Sequence, residues 1–316
     1  MAFDLNRFYR QLDEHYAAHD NTATEQFFKD SRQKAYQDGL ADPLPAGCPS
    51  CAPPIKPNMA YVSVCNEMAC FYRGLSRFQD SLDAFARAQE ELESLYLQNT
   101  VEYATILLNK AGTYRYMGDT DQALEHFSRS ARILETDRKG TPQVLAGLYN
   151  NMGLVYLDKK QPQEALEHFL RALPLVSAGP DRTVEQGTTW NNLAAAYKAL
   201  GQQTQAEDAV GRAVDILSLL DGGVNPHYPA ALNTRGTFAY EAGRYQQALE
   251  DFLEALEKTR LVYGENVEYA YGCSNCAAAC EKLGRMEEAG EWRKKYREVQ
   301  QQIHCLHKDK TCAFQP

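Results

Sequence analysis

A two-helix unit recurs along most of the chain with a period of 41 or 42 residues. Each unit is marked by a small residue that opens its second helix, and these residues are Ser81, Ala123, Ala165, Ala206, Ala248 and Ala289. A single unit cannot bury its apolar face alone, so units repeated at this interval must stack on one another. The sequence therefore predicts an all-α fold, a right-handed α-solenoid of helix-turn-helix repeats.

The unit at 147–173 shows the pattern most clearly. In its first helix Gly153 and Tyr156 lie on one apolar face, and in its second helix Ala165 and Phe169 do the same. A lysine-glutamine-proline turn separates the two helices, and its proline suits the first turn of a new helix. Because small residues face large ones, we expect the two helices to pack closely.

Two further positions recur with the same spacing. Five residues before the small residue lies the turn between the helices, at Ser76, Gly118, Lys160, Gly201, Gly243 and Gly284. Four residues after it lies a large side chain in five units, namely Phe85, Phe127, Phe169, Val210 and Phe252. The sixth unit has Arg293 there with Trp292 adjacent, so we assign six repeats.

These residues carry a resemblance to the tetratricopeptide repeat (TPR) family. The positions that match the family pattern are small or aromatic residues of the first helix, Gly153, Gly236, Tyr156 and Tyr197, followed by the alanine and phenylalanine of the second helix. The usual TPR unit has about 34 residues, so this period is longer and resembles the kinesin-light-chain type. The resemblance covers about residues 60 to 300 and implies fold more than function, since TPR arrays carry many unrelated roles.

Four segments follow from this assignment. Residues 1–37 are interpreted as a degenerate TPR-like helical hairpin, with an unrelated docking hairpin as the alternative. Residues 38–58 hold six of the thirteen prolines and are predicted to be a long loop, either functional or disordered. Residues 59–303 form the six repeats, and residues 304–316 are predicted to be a loose C-terminal tail.

Composition limits the partners. The net charge of −9 argues against nucleic acid, which requires a basic surface, and mildly favours cationic partners. No apolar run approaches the ~20 residues of a membrane span, and the first residues lack the apolar stretch of a signal peptide. We therefore expect a cytoplasmic protein that binds neither nucleic acid nor membrane.

No enzyme motif stands out in the sequence, so we predict no catalysis, no cofactor and no metal. Zinc ligands remain an alternative at the CxxC pair and in the tail, formed by Cys48, Cys51, His304, Cys305, His307 and Cys312, although the spacing matches no common zinc module. Three cysteines share one helix face at i, i+3 and i+7, Cys273, Cys276 and Cys280. We interpret these three as core residues, since a free cysteine behaves as a small buried hydrophobe.

The predicted binding site is the inner face of the first helices, which line the concave surface in the family that the chain resembles. Asparagine occupies one or both of two adjacent positions there in every repeat, as Asn66, Asn109, Asn150, Asn151, Asn191, Asn192, Asn233 and Asn275. An amide both donates and accepts, so it suits the backbone of an extended peptide. A turn further on come Arg73, Arg115, Lys198 and Tyr240, which we expect to hold a carboxylate. The alternative is that the asparagines link neighbouring helices structurally.

The sequence thus predicts a non-catalytic adaptor that binds a protein or peptide ligand in a concave groove. The alternative is a peptide-responsive sensor or regulator that resembles bacterial pheromone receptors, in which a bound peptide changes the pitch of the superhelix.

Overall fold

The computed structural model describes residues 3–18, 20–40, 58–136, 141–178, 183–220, 225 and 227–312. Within these ranges the chain forms fourteen α-helices and no strand. The all-α class of helix-turn-helix repeats predicted from the periodicity is therefore confirmed.

The helices follow one another as seven pairs along the chain. They are α1 (Leu5–Ala17) and α2 (Asn21–Leu40), α3 (Met59–Gly74) and α4 (Phe78–Ser94), α5 (Val101–Tyr116) and α6 (Thr120–Glu135), α7 (Pro142–Asp158) and α8 (Pro162–Val176), α9 (Val184–Ala199) and α10 (Gln203–Ser218), α11 (Tyr228–Glu241) and α12 (Tyr245–Tyr263), and α13 (Val267–Lys282) and α14 (Met286–Cys312). Several helices have an N-cap residue, directly before their first residue, whose side chain accepts a hydrogen bond from the backbone N–H three residues later. These N-caps are Asp4, Asn58, Thr100, Asp119, Thr183 and Asn266.

The chain divides into two compact units. Unit 1 is Met1–Asn151 and unit 2 is Met152–Pro316, so the boundary falls inside α7. Unit 1 holds the first two repeats and the N-terminal pair, and unit 2 holds α8 to α14. The residues predicted to line one groove are thus shared between two units, which are described separately below.

Each of the six repeats closes through the same turn. The turn residue has a positive φ in every repeat, with values from 57° at Ser76 to 81° at Gly118. The next residue donates its N–H to the carbonyl five residues earlier, as from Asp119 N to Tyr114 O at 2.9 Å. This is the Schellman closure of a helix, which glycine adopts without strain. The turn position assigned from the repeat spacing is therefore confirmed.

Close packing within a repeat depends on a small residue of the first helix facing an aromatic ring of the second. Phe169 is fully buried, and a Cβ added to Gly153 would overlap its ring. The equivalent contact in a later repeat is that of Gly236, where a Cβ would lie 2.7 Å from Phe252. Larger residues at either glycine would separate the helices, so this contact sets their spacing.

The N-terminal pair packs onto the first repeat of unit 1. Its core residues Phe8 and Phe28 form one buried cluster with Val64 and Phe71 of α3. Thr24 of α2 is likewise buried and donates its hydroxyl to the carbonyl of Asp20, the residue before the helix. The pair therefore continues the stacking of the repeats toward the N-terminus.

Two helices extend beyond their predicted ends. The predicted hairpin ended at residue 37, whereas α2 continues to Leu40; residues 41–57, most of the proline-rich segment, lie outside the described residues. The last helix was predicted to end at 303, but α14 continues to Cys312 through residues assigned to a loose tail. No proline occurs between Met286 and Pro316, so nothing in the backbone chemistry stops the helix earlier.

We expect Phe169→Ala to lower the free energy of unfolding by roughly 3–5 kcal/mol, because it empties a fully buried ring site. The matched control is Leu170→Ala at the neighbouring position, where the side chain is 46% exposed; this change should stay within about 0.5 kcal/mol of wild type. Thermal and urea melts of both variants measure the difference. Equal melting of the two would contradict the packing described for this repeat.

Lys160→Gly should stabilise the chain by up to about 1 kcal/mol, because lysine holds a φ of 60° that costs an L-residue roughly 1–2 kcal/mol. Glycine removes this strain, although it loses more backbone entropy on folding. The reverse change at an equivalent turn, Gly118→Ala, should destabilise by a similar amount. Melting temperatures show whether each variant gains or loses stability. A loss of stability in both variants would contradict the predicted backbone strain at Lys160.

Candidate functional site

The predicted asparagines of unit 1 are bonded to one another across two repeats. Asn109 of α5 donates from Nδ2 to Asn66 Oδ1 of α3 at 2.9 Å, and Asn66 Nδ2 donates to Glu67 Oε1 at 3.3 Å. Arg73 donates from Nη1 to the backbone carbonyl of Asn109 at 2.9 Å. In this part of the face the asparagines and the arginine link neighbouring helices, which is the structural alternative stated from the sequence.

The remaining predicted residues of unit 1 are also engaged within the protein. Asn150 is only 8% exposed, and Asn151 donates from Nδ2 to the carbonyl of Gly147 at 2.8 Å, within its own helix. Arg115 is half-buried, with its guanidinium 6.0 Å from the centre of the Tyr116 ring. Asn150 is therefore buried, whereas Asn151 and Arg115 are half-buried.

In unit 2 the asparagines on the same helix face have different hydrogen bonding. Asn191 of α9 and Asn233 of α11 occupy equivalent positions in successive repeats. The Oδ1 atom of each is buried and accepts no hydrogen bond from the described residues. Both residues are only partly buried as a whole. Asn192, by contrast, is 8% exposed, and Asn275 is half-buried on α13. Two amide oxygens on neighbouring first helices are therefore left without a donor.

Lys198 and Tyr240 lie one to two turns beyond these asparagines. The ammonium of Lys198 contacts Glu241 of α11 at 2.6 Å and also donates to Gln203 Oε1 at 3.1 Å. The Tyr240 ring packs edge-on against Tyr245, with the ring centres 5.3 Å apart. Lys198 thus ties α9 to α11, which places Asn191 and Asn233 on adjacent helices.

Two of the cations expected to hold a ligand carboxylate make contacts within the chain. Arg73 is bonded to the Asn109 carbonyl and Lys198 to the Glu241 carboxylate. In both cases the acceptor comes from the next repeat, which stacks closely enough for a long side chain to reach it. Sequence spacing within one repeat does not reveal such partners.

Three further polar side chains lie at the start of unit 1. Glu67 is a half-buried carboxylate beside Asn66, and Tyr9 and Tyr16 of α1 are partly exposed. The available signal was the seven-residue spacing of the tyrosines, which puts them on one face of α1.

The three cysteines of α13 lie in the core of unit 2, as predicted. Cys273, Cys276 and Cys280 are fully buried. Burial raises the pKa of Cys273 to about 11 and that of Cys276 to about 12, so both stay protonated and unreactive at neutral pH. Burial of the three side chains, rather than their spacing in the sequence, makes them core residues.

The structure adds two observations on metals and membranes. Among the side chains it describes, no three histidine, cysteine or acidic groups converge as metal ligands; the possible ligands at Cys48, Cys51 and 304–312 lie outside that set. None of the helices searched within the described residues has both the length and the apolar character needed to cross a bilayer.

Comparison with known families gives one consistent match. Two family models, both described as tetratricopeptide repeat, match the chain, one at residues 60–136 and 144–218 and the other at residues 230–266. Together they cover more than half of its length. No curated protein matches the sequence.

Several solved structures share the fold at low sequence identity. BtubC (BKLC) from P. vanneervenii is 18% identical with a TM-score of 0.61, over 72% of this chain and 92% of that one. A putative kinesin light chain from Podosopora anserina with TPR-like repeats is 18% identical with a TM-score of 0.51, over 62% and 94%. The signal transduction ATPase PH0952 from Pyrococcus horikoshii, which has a tetratricopeptide repeat sensor, is 12% identical with a TM-score of 0.61, over 93% and 43%. At these identities the likeness concerns the fold alone.

We expect a double-mutant cycle on Asn66→Ala and Asn109→Ala to give a coupling energy of about 0.5–1.5 kcal/mol, the net contribution of one hydrogen bond. The cycle cancels the helix propensity that each alanine adds. The control cycle, Asn191→Ala with Asn233→Ala, should give a value near zero, because neither Oδ1 accepts a bond. Urea melts measure both, and a zero coupling in the first cycle would show that the link is not formed.

Proposed function

This chain belongs to the tetratricopeptide repeat family, and from that premise we propose that it is a non-catalytic adaptor that binds an extended segment of a partner protein. TPR proteins bind protein partners and are in general scaffolds. The finer part of the proposal is the place and the mode of binding. We assign them to the first-helix face of unit 2, at α9 and α11.

The observation that carries the proposal is the pair of unpartnered amide oxygens at Asn191 and Asn233. Buried polar atoms are nearly always hydrogen-bonded, because a buried acceptor without a donor costs free energy. Because each residue as a whole is only partly buried, rotation of its amide toward the surface would let an incoming backbone N–H supply the donor. In the equivalent region of unit 1, the Asn66 oxygen already accepts a hydrogen bond from Asn109.

The spacing of the two amides favours an extended ligand. Packed neighbouring helices lie about 8–10 Å apart, and an extended chain advances roughly 3.3–3.6 Å per residue. N–H groups on one edge of an extended chain recur every second residue, so a peptide crossing from α9 to α11 can bring two such groups, about two residues apart, to the two asparagines. Recognition of this kind uses the peptide backbone and tolerates different ligand side chains.

The combined change Asn191→Ala and Asn233→Ala tests the site. It removes two unpartnered acceptors and improves helix propensity, so the variant should be as stable as wild type or more stable. Binding should weaken by about 1–3 kcal/mol, because donors of the ligand are left unpaired. The measurement is affinity capture from native cell extract with mass spectrometry, followed by titration of the captured partner.

A photo-crosslinking residue in place of Thr237, which is exposed one turn beyond Asn233, should link to the same partner. The control position is Gln246, an exposed residue of α12. Equal capture by the folded double variant, with no crosslink at 237, would place binding elsewhere. The sensor alternative uses the same residues and stays a prediction. It requires in addition that binding of the captured peptide change the radius of gyration of this protein, measured by X-ray scattering.

A further inference from the structure

One half-buried lysine of unit 1 occupies a position that belongs to the apolar core in most repeats. Lys110 lies thirteen residues before Ala123, the small residue of the second repeat. At the same position four other repeats carry buried side chains without charge, namely Met68, Met152, Leu193 and Cys276. Burial lowers the pKa of Lys110, because the charged form loses hydration there. An ammonium group at this position is therefore stabilised by a compensating negative charge.

The fifth repeat shows how the chain compensates a cation at this position. It carries Arg235 there, and the second helix of the same repeat opposes it with Asp251, three residues after the small residue Ala248. The guanidinium Nη2 and the carboxylate Oδ1 lie 2.5 Å apart, and Nε donates to both carboxylate oxygens at 3.1 Å. Asp251 is only 4% exposed, so its carboxylate is held against the arginine inside the repeat. This position thus accommodates a carboxylate opposite a cation.

The second repeat has the cation without the carboxylate. Where the fifth repeat has Asp251, it has His126, whose Nδ1 atom is buried and has no hydrogen-bond partner among the described residues. Lys110 Nζ donates to the amide oxygen of Gln89 on α4 at 2.8 Å, and it forms no ion pair within the part of the chain that the structure describes. A neutral amide compensates an ammonium group less well than an acid does. The second repeat therefore lacks the counter-charge that the fifth repeat supplies.

A second cation lies along the same pair of helices. The guanidinium of Arg129, one turn beyond His126 on α6, lies 5.1 Å from the centre of the Tyr103 ring of α5. The His126 ring stacks on Tyr114 of α5, with the ring centres 5.2 Å apart. Lys110 is on the same face of α5 between these two tyrosines, seven residues after the first and four before the second. These contacts place Lys110, His126 and Arg129 together along the α5–α6 seam.

Acids near the α5–α6 seam are bonded to other groups. Glu93 of α4 accepts a hydrogen bond from Tyr103 Oη, and the exposed Glu125 of α6 accepts one from Gln122 at 3.4 Å. Neither acid is within ion-pairing distance of the two cations in the described structure. The seam is also distinct from the asparagine face, because it involves the second helices α4 and α6, whereas the asparagines join first helices.

We propose that Lys110, His126 and Arg129 form a subsite that binds the carboxylate of an aspartate or glutamate side chain of a partner polypeptide. The ligand carboxylate takes the place in the second repeat that Asp251 holds in the fifth. Lys110 and Arg129 supply charged donors, and the buried Nδ1 of His126 supplies a third in its Nδ1–H tautomer. The subsite is independent of Asn191 and Asn233, since it uses other helices and recognises a side chain. The net charge of −9 slows the approach of an acidic ligand at low salt, so the attraction is local.

The test uses the full chain and acetylated, amidated decapeptides of glycine and serine that differ only in a central pair of residues, glutamate or glutamine. Binding is followed by NMR through the ring signals of His126, one of seven histidines, which are assigned by their loss in His126→Phe. We expect the glutamate peptide to shift these signals saturably and to bind about tenfold more tightly than the glutamine peptide, because charge-assisted hydrogen bonds are the stronger ones.

The matched variant is Lys110→Met, because methionine occupies this position in the first and third repeats. It should be at least as stable as wild type, since it replaces a half-buried charge by an apolar side chain, and it should abolish the preference for glutamate. The same substitution at Lys34, an exposed residue of α2, changes the net charge equally and should leave binding unchanged. Arg129→Gln, at an exposed position that does not affect folding, should weaken binding of the glutamate peptide several-fold.

Three results would overturn the subsite. They are equal binding of the glutamate and glutamine peptides, an unchanged glutamate affinity in folded Lys110→Met and Arg129→Gln, or equal weakening by Lys34→Met. Inorganic phosphate at the same concentration tests the class of anion. If phosphate binds at His126 more tightly than the glutamate peptide, the subsite does not select carboxylates and the assignment is wrong.

Discussion

The structure depends on how closely the two helices of a repeat approach each other. A small residue on the first helix faces an aromatic ring on the second, as Gly153 faces Phe169, and no room remains for even one additional methyl group. Interiors packed at this density do not adjust to extra volume without cost. The contact therefore fixes the separation of the helices, and the left-handed turn residue fixes how the chain passes from one to the other. Every other feature of the repeats is built on this geometry.

One consequence of the stacking is that polar residues at equivalent positions acquire different roles. Asn66 and Asn109 form a hydrogen bond between successive first helices, whereas Asn191 and Asn233 leave their oxygens unpartnered. Asparagine is a middling helix former, so propensity explains neither pair. The first pair contributes to the packing of unit 1. The second retains hydrogen-bonding capacity, and this is why we place the adaptor site in unit 2.

Charged residues on the first-helix face also acquire partners through the stacking of the repeats. Long cations reach acceptors in the next repeat, so Arg73 and Lys198 are bonded inside the protein. Glu67 is a shorter side chain, and it receives only an amide from its neighbour Asn66.

The sequence by itself determined the repeat, its helices and its turns, because these depend on local periodicity and on single residues such as the glycine at four of the six turns. It also identified the cysteines of α13 as core residues from their shared face. Only the tertiary structure decided which polar groups are satisfied. Asn66 and Asn109 are separated by 43 residues, and Arg73 reaches a carbonyl 36 residues away. Partners of this kind are chosen by the stacking of repeats, which aligns side chains that no pattern within one unit relates to each other.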